Sequence, residues 1–309
     1  MSPGSTLGAW LLWMPGCVVF ASVLSQLVAP AGWRRALALT LAALALVVPW
    51  FAPAGTVLRA GVALYLLWTF AKVVDMARAE SPRPPLFRWI WMLVLHDLRR
   101  DGYARSGAHP ELRASLLSSA LLNLGIAVAC LHVAVFEAAA FAPAARWFVR
   151  HGTGILVCYF GVEGCLRTFE FFDRCFGLRP PPLHDHPILS RSLSEFWGRR
   201  WNRVVGHWLF STFYRPLAAR QRPGLALAAA FGASALVHLY FTAAAIGFRW
   251  SLIMASFFLL QIPLLWLEAA LQQRRWPEPL RRLWTLACLV LTSPLFVMPT
   301  LVTLEGGFS

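Results

Sequence analysis

The chain has 309 residues, of which 58% are apolar and only 14% are charged, and its net charge is +14. A soluble domain typically has about 25% charged and roughly 45–50% apolar residues, so this composition excludes an ordinary soluble domain and a disordered chain. The mean hydropathy of +0.59 instead predicts an all-α integral membrane protein with many spans.

Eight stretches of about 20 mostly apolar residues are long enough to cross a membrane as helices. No internal repeat is visible, so we expect a single multi-pass membrane domain over residues 1–309. The predicted spans lie near 7–29, 36–51, 57–77, 115–141, 151–172, 224–247, 250–271 and 283–304.

The basic residues are concentrated between alternate spans. If the N-terminus faces outside, 22 arginines lie in inner loops and four in outer loops. Cytoplasmic loops collect Lys and Arg, so we expect both termini outside and the Arg-rich loops in the cytoplasm, in a bacterial inner membrane. The same charges could also bind anionic lipid headgroups or a phosphorylated cofactor. Nucleic-acid binding is not expected, because the charges do not lie on one soluble face.

The apolar stretch 204–214 is too short to cross the membrane. Its 11 residues span about 16 Å as a helix, against a hydrocarbon core of about 30 Å, and arginines lie at both of its ends. We therefore expect a re-entrant or interfacial segment. Such a segment persists in a membrane only where protein or a wet cavity surrounds it.

A segment rich in arginine and tryptophan follows the proline-rich sequence RPPPLHDHP. Ser192 and Glu195 form an S-x-x-E capping box, which predicts the start of a helix. The apolar spacing from Leu193 to Val205 predicts one amphipathic helix in the cytosolic interface. Asn202 lies where this helix would enter the membrane. Its amide can donate and accept hydrogen bonds, so a ligand contact and an ordinary exposed helix position are both open.

His238 lies in the span 224–247, in the run FGASALVHLY, about 21 Å along the helix axis from Gly224. An ionisable residue inside a span is a functional hypothesis by default. Burial disfavours the charged imidazolium, so we expect a neutral base. Ser234, one helical turn earlier, could orient the ring. The alternative is a histidine that is hydrogen-bonded across helices in a structural role.

The segment SLSEFWGRRWN, followed about 35 residues later by an apolar span with S-A-L-V-H, resembles the membrane-bound O-acyltransferase superfamily. The resemblance is to its wax synthase branch and rests on about 195–214 and 231–240. It implies a helical fold that encloses a chamber, with His238 as the catalytic base and Asn202 assisting it. Leu239 departs from the acidic residue that some wax synthase-like sequences have there, which leaves the acceptor open.

The resemblance further implies transfer of a fatty acyl group from acyl-CoA to a lipophilic alcohol, with no other cofactor and no metal. His238 would take the proton of the alcohol as it attacks the thioester, and the Asn202 amide would stabilise the developing oxyanion or hold the hydroxyl. The polyanionic CoA would stay at the aqueous face, where guanidinium groups suit its phosphates. The expected substrate-binding residues are Ser234, Trp197, Trp201, Arg199, Arg200, Arg203 and His207.

Other acceptors and other functions remain open at this point. The acceptor could be a long-chain alcohol, a sterol or a diacylglycerol. A lipid-binding protein or transporter would use His238 in a polar relay, but the sequence has no inverted repeat or matching pair of broken spans. The sequence does not indicate an oligomeric state.

Two histidine patterns give weaker signals. His96 and Asp101 form an H-x-x-x-x-D pattern, typical of glycerolipid acyltransferases that work at a soluble face, but chance matches of this kind are common. His184 and His186 could bind a metal, although no third ligand is evident nearby.

Several charged or polar residues fall inside predicted spans and need partners there. His132, Glu137 and Glu163 are expected to pair across helices, or else to line an acceptor channel. Lys72 and Asp75 are expected to form a local i,i+3 ion pair.

Overall fold

The computed structural model describes residues 3–28, 32–52, 55–78, 110–175 and 182–306, and all regular elements within these ranges are helices. The predicted all-α class is therefore confirmed. The helices are α1 (Pro3–Leu27), α2 (Trp33–Ala45), α3 (Thr56–Ala77), α4 (Pro110–His132), α5 (Pro143–Cys175), α6 (Leu193–Glu195), α7 (Arg203–Leu209), α8 (Arg215–Ala218), α9 (Pro223–Ile246), α10 (Phe248–Ala270), α11 (Glu278–Thr292) and α12 (Pro294–Glu305).

Several of these helices can cross a membrane, which makes this a multi-pass membrane protein. In the part of the chain that the structure describes, five helices are long and apolar enough, or six if α11 and α12, bent by 48°, form one span. The predicted spans 7–29 and 151–172 fall in α1 and α5, which are not among them, so the number eight stays a prediction. The single domain and the orientation of the termini also stay predictions. The five helices are Trp33–Trp50, Thr56–Ala77, Arg113–Ala140, Pro223–Ile246 and Phe248–Ala270.

One compact unit comprises Met1–Leu95, Val237–Leu252 and Val302–Ser309. Its apolar core is formed by α1, α2 and α3 and includes the buried side chains of Leu58 and Val62. The Tyr240 hydroxyl in α9 donates to the Leu46 carbonyl at 2.7 Å, just after the end of α2. Tyr240 therefore holds the second half of α9 against α2. Lys72 and Asp75 are both buried in α3.

The second compact unit comprises His96–Leu236 and Ile253–Leu301. Helices α4 and α5 pack closely, because a Cβ atom on Gly164 would lie only 2.7 Å from Cγ of Leu124. His151 Nε2 lies 3.0 Å from the Ser293 hydroxyl, which itself donates to the Val290 carbonyl. The imidazole therefore donates to Ser293, at the bend between α11 and α12, and links this bend to α5.

The predicted single amphipathic helix over Leu193–Val205 is wrong, because the helix is interrupted at Trp201 and Asn202. Helix α6 continues as a π-helical turn, Phe196–Arg200, and Trp201 then adopts an extended conformation. Asn202 has φ 36° and ψ 65°, the left-handed region, and α7 begins at the next residue. Asparagine tolerates this region better than most residues and is a preferred N-cap, so it can end one helix and start another.

The stretch 204–214 belongs to a longer helical run. Helix α7 passes through a second π-helical turn, Phe210–Tyr214, into α8. Pro216 lacks an N–H group for the regular i−4 hydrogen bond, which accounts for the irregular turn before it. This run is not among the helices long and apolar enough to cross a membrane. Its re-entrant or interfacial position stays a prediction.

Candidate active site

The FWGRRWN block (Phe196–Asn202) begins after the predicted N-cap at Ser192, but the second half of the predicted capping box is shifted by one residue, to the Arg191 N–H. The Ser192 hydroxyl accepts from the Glu195 N–H at 2.9 Å. The Glu195 carboxylate accepts from the Arg191 N–H at 2.8 Å and pairs with the Arg200 guanidinium at 2.8 Å. Partial burial raises the pKa of Glu195, but these hydrogen bonds outweigh that effect and hold the pKa below its usual value. Glu195 is therefore ionised at neutral pH and joins the two ends of the π-helical turn.

Two buried side chains near the end of α10 hold the start of the block. Glu268 accepts from the Leu193 N–H at 2.7 Å and from the Ser194 N–H at 3.3 Å. The Gln273 amide donates to the Arg191 carbonyl at 2.7 Å. Both side chains are buried, so these bonds satisfy polar groups that water does not reach. The sequence gives no signal for either residue, because a lone polar residue at a helix end does not reveal its distant partner.

Replacing Glu268 by methionine is expected to lower the free energy of unfolding by about 1–3 kcal/mol, because the buried Leu193 N–H loses its acceptor. Glu268→Gln keeps one carbonyl acceptor, so its free energy of unfolding is expected to fall by less. The stability of both variants is measured by thermal unfolding in detergent. Glu278→Gln is the control, because it removes an exposed carboxylate paired with Arg282. A melting temperature of Glu268→Met equal to that of the control would contradict this account.

Trp197, the second residue of the block, is held by its hydrogen bond and its aromatic neighbours. Its indole N–H donates to the amide oxygen of Gln261, a fully buried residue of α10, at 3.2 Å. The ring lies within about 6 Å of the rings of Phe231, Phe257 and Phe258. The structure thus gives Trp197 a packing role between α9 and α10, and its substrate contact stays a prediction.

The end of the block is a tight turn at Trp201 and Asn202. The Asn202 side-chain oxygen accepts from the Val205 N–H at 3.4 Å and so caps α7. No hydrogen bond among the described residues uses the Asn202 NH2 group. The Trp201 ring stacks on Phe196 at 5.4 Å and lies 4.6 Å from the His184 ring. The Asn202 oxygen is therefore used by the cap, and its two N–H donors have no partner among the described residues.

A charged cluster on α5 holds the segment that precedes the block. Arg167 donates to Glu163 and to Glu170, each at 2.9 Å. Glu163 also binds His184 Nδ1 at 2.6 Å, and Glu170 accepts from the Leu183 N–H at 2.6 Å. Glu163 thus pairs within its own helix and with a loop histidine, and not with another helix as expected.

The other polar residues that the sequence analysis singled out do not form part of this cluster, except for His184. His132 and Glu137 pair with each other at 3.4 Å along one helical run, and both are 60% exposed, so this pair does not link helices as expected. The described residues contain no group of three potential metal ligands, and His184 binds a carboxylate instead. His96 and Asp101 lie outside the described residues.

The three arginines expected to bind phosphate differ in their surroundings. The Arg200 guanidinium donates to the Asp185 carbonyl at 3.0 Å, and the Arg203 guanidinium donates to the Pro182 carbonyl at 3.2 Å. Arg199 is exposed and forms no ion pair within the described ranges. Of the three, Arg199 is therefore the one whose guanidinium has no partner within the described part of the chain.

His238 lies in α9, which is among the helices able to cross a membrane. Its ring is partly buried and lies 5.2 Å from the ring of Phe241. Ser234, one turn earlier, is buried, and His207 is exposed on α7. The block, Ser234 and His207 belong to the second compact unit, whereas His238 belongs to the first.

Comparison with known proteins gives a family match over this part of the chain. Residues 180–260, which include the block and His238, match the model of the membrane bound O-acyl transferase family. The chain is 34% identical over 125 residues to the probable long-chain-alcohol O-fatty-acyltransferase 2 of Arabidopsis thaliana, covering 37% of this chain and 36% of the relative.

A second relative gives the same result over a shorter stretch. The chain is 34% identical over 99 residues to the long-chain-alcohol O-fatty-acyltransferase of Simmondsia chinensis, covering 28% of each protein. The matches thus span about a third of the length of these curated relatives. Residues 180–260 thus resemble the membrane bound O-acyl transferase family, and part of the chain is similar to two proteins named as long-chain-alcohol O-fatty-acyltransferases.

Proposed function

We propose that this protein transfers a fatty acyl group from acyl-CoA to a long-chain alcohol and so forms a wax ester. The names of both relatives support an acyl transfer to a long-chain alcohol. The family match covers the block and His238, which are the two parts of the chain that carry the proposed chemistry.

The observation that carries the proposal is the conformation of Asn202. Its side-chain oxygen caps α7, so its NH2 group has a defined direction and two donors that the described residues do not use. A preorganised N–H donor stabilises the negative charge that develops on a thioester carbonyl oxygen during attack. We assign this role to Asn202.

His238 supplies the base in this proposal. In its neutral form it takes the hydroxyl proton while the alcohol oxygen bonds to the thioester carbon. The tetrahedral intermediate then expels the CoA thiolate, which receives the proton from the imidazolium. The products are an ester and free CoA, and the histidine returns to its neutral form. The apolar helix that carries His238 limits thioester hydrolysis by water.

Arg199 is the proposed contact for the CoA phosphates. Its guanidinium is exposed beside the block, whereas the guanidinium groups of Arg200 and Arg203 donate to backbone carbonyls. Guanidinium groups bind phosphate through paired hydrogen bonds, so one exposed arginine can hold the donor at the aqueous side. The fatty chain would then extend into the apolar part of the protein.

The proposal is tested with purified protein in detergent, palmitoyl-CoA and three acceptors: hexadecanol, cholesterol and a diacylglycerol. Release of free CoA and formation of the ester are followed together. We expect equal amounts of both products with hexadecanol. Ester formation with cholesterol or diacylglycerol alone would move the acceptor to another lipid class. CoA release without any ester, or no release from folded protein, would contradict the proposed acyl transfer.

A further inference from the structure

His184 lies in an unusual environment for a loop histidine. Its side chain is only 1% exposed, and Nδ1 lies 2.6 Å from the Glu163 carboxylate. A carboxylate can only accept, so Nδ1 carries the hydrogen and the ring orientation is fixed. Nε2 is buried and has no hydrogen-bond partner among the described residues. Among the described residues, the ring is therefore hydrogen-bonded only through Nδ1, to α5.

The residues on either side of His184 bind both ends of the Trp201–Asn202 turn. The Asp185 N–H donates to the Arg200 carbonyl at 3.0 Å, and the Arg203 N–H donates to the Leu183 carbonyl at 2.8 Å. The His184 ring lies between these two bonds in the sequence and contacts the Trp201 ring at 4.6 Å. Residues 183–185 thus form a short brace along the turn that sets the direction of the Asn202 amide.

Helix α5 makes this brace rigid. Arg167 bonds to Glu163 and Glu170 at the same time, and these two carboxylates hold His184 and the Leu183 N–H. Partly buried ion pairs with several hydrogen bonds have a defined geometry, and breaking one leaves charge without a partner. The position of Asn202 therefore depends on side chains of α5 that are about 40 residues earlier in the chain.

We propose that His184, held by Glu163, is a positioning residue that keeps the Asn202 amide in the direction needed for acyl transfer. It acts through the Trp201 ring and the brace 183–185, and it does not touch the reacting atoms. This proposal rests on the proposed function, because it assumes that the Asn202 amide assists the reaction. A displacement of about 1 Å at a reacting group can lower a rate by about 10²-fold, so a brace of this kind affects turnover directly.

The test uses the variant His184→Phe in the full-length protein. Phenylalanine keeps a ring against Trp201 but cannot donate to Glu163. We expect kcat to fall at least about tenfold while the KM values for palmitoyl-CoA and hexadecanol stay within about twofold. In an Asn202→Asp background, His184→Phe is expected to cause no further fall, because both changes remove the same oriented donor. His186→Asn is the matched control, since His186 is exposed and has a positive φ that asparagine tolerates.

A second readout does not depend on activity. Hydrogen exchange of peptides covering 200–206 is expected to be faster in His184→Phe by at least about tenfold, whereas exchange in α9 stays unchanged. Unchanged exchange and unchanged kcat would overturn the proposal, and so would a fall in kcat that is fully additive with Asn202→Asp. If wild-type protein forms no ester but exchange near Asn202 rises as expected, the proposed function fails while the bracing role of His184 stands.

Discussion

Replacing His238 by alanine is expected to reduce ester formation by about 10²–10⁴-fold, the usual contribution of a general base. Without the imidazole, the proposed base is missing, and an unactivated hydroxyl attacks a thioester slowly. His238 lies in an apolar helix, so alanine fits the helix and its neighbours. The measurement is ester formation per mole of folded protein, with folding checked by size-exclusion chromatography and thermal unfolding.

Tyr240→Phe is the matched control for His238, because it changes the same part of α9. It removes the hydrogen bond to the Leu46 carbonyl and is expected to lower stability by about 1 kcal/mol. Its turnover should stay within a few-fold of wild type. If His238→Ala resembles Tyr240→Phe in both stability and turnover, His238 is a structural residue and the base must be sought elsewhere.

Replacing Asn202 by aspartate is expected to reduce ester formation by about 10²–10³-fold, the cost of losing one oxyanion donor. Aspartate has the same shape, tolerates the left-handed backbone and caps helices well, so α7 should remain intact. It replaces the NH2 group by an acceptor, which repels a developing oxyanion. We expect the melting temperature to stay close to that of wild type while kcat falls.

Gln221→Glu is the matched control for Asn202→Asp. Gln221 also has a positive φ, 59°, and is exposed, and the change again converts an amide into a carboxylate. This variant is expected to keep wild-type turnover and stability. A wild-type rate for Asn202→Asp would show that Asn202 only caps α7.

Part of this fold follows from the sequence. Composition and long apolar stretches predict the all-α membrane class, and the Ser192–Glu195 pattern predicts the start of α6. The interruption at Asn202 was missed because apolar residues recur at helical spacing on both sides of it. Hydrophobic periodicity indicates which side of a segment is buried, but it does not reveal a single residue whose backbone adopts the left-handed conformation.

The residues that hold the FWGRRWN block in place are harder to predict than the candidate site residues. His238 and Asn202 belong to short local patterns that a sequence displays directly. Gln261 and Glu268 are single polar residues in an apolar helix, and their partners are distant in the sequence. Their roles depend on which loop packs against α10, and this is decided by tertiary structure.

The clamp formed by Glu268, Gln273 and Gln261 has a consequence for biosynthesis. These side chains lie 64 to 82 residues after the backbone and indole groups that they bind. A ribosome that adds about 5–20 residues per second releases the FWGRRWN block several seconds before α10 exists. The block therefore emerges before the backbone and indole groups at its start have their hydrogen-bond partners. It acquires its final geometry only after α10 has been inserted. A nascent chain arrested before residue 261 is expected to contain the whole motif in a form that cannot yet bind substrate.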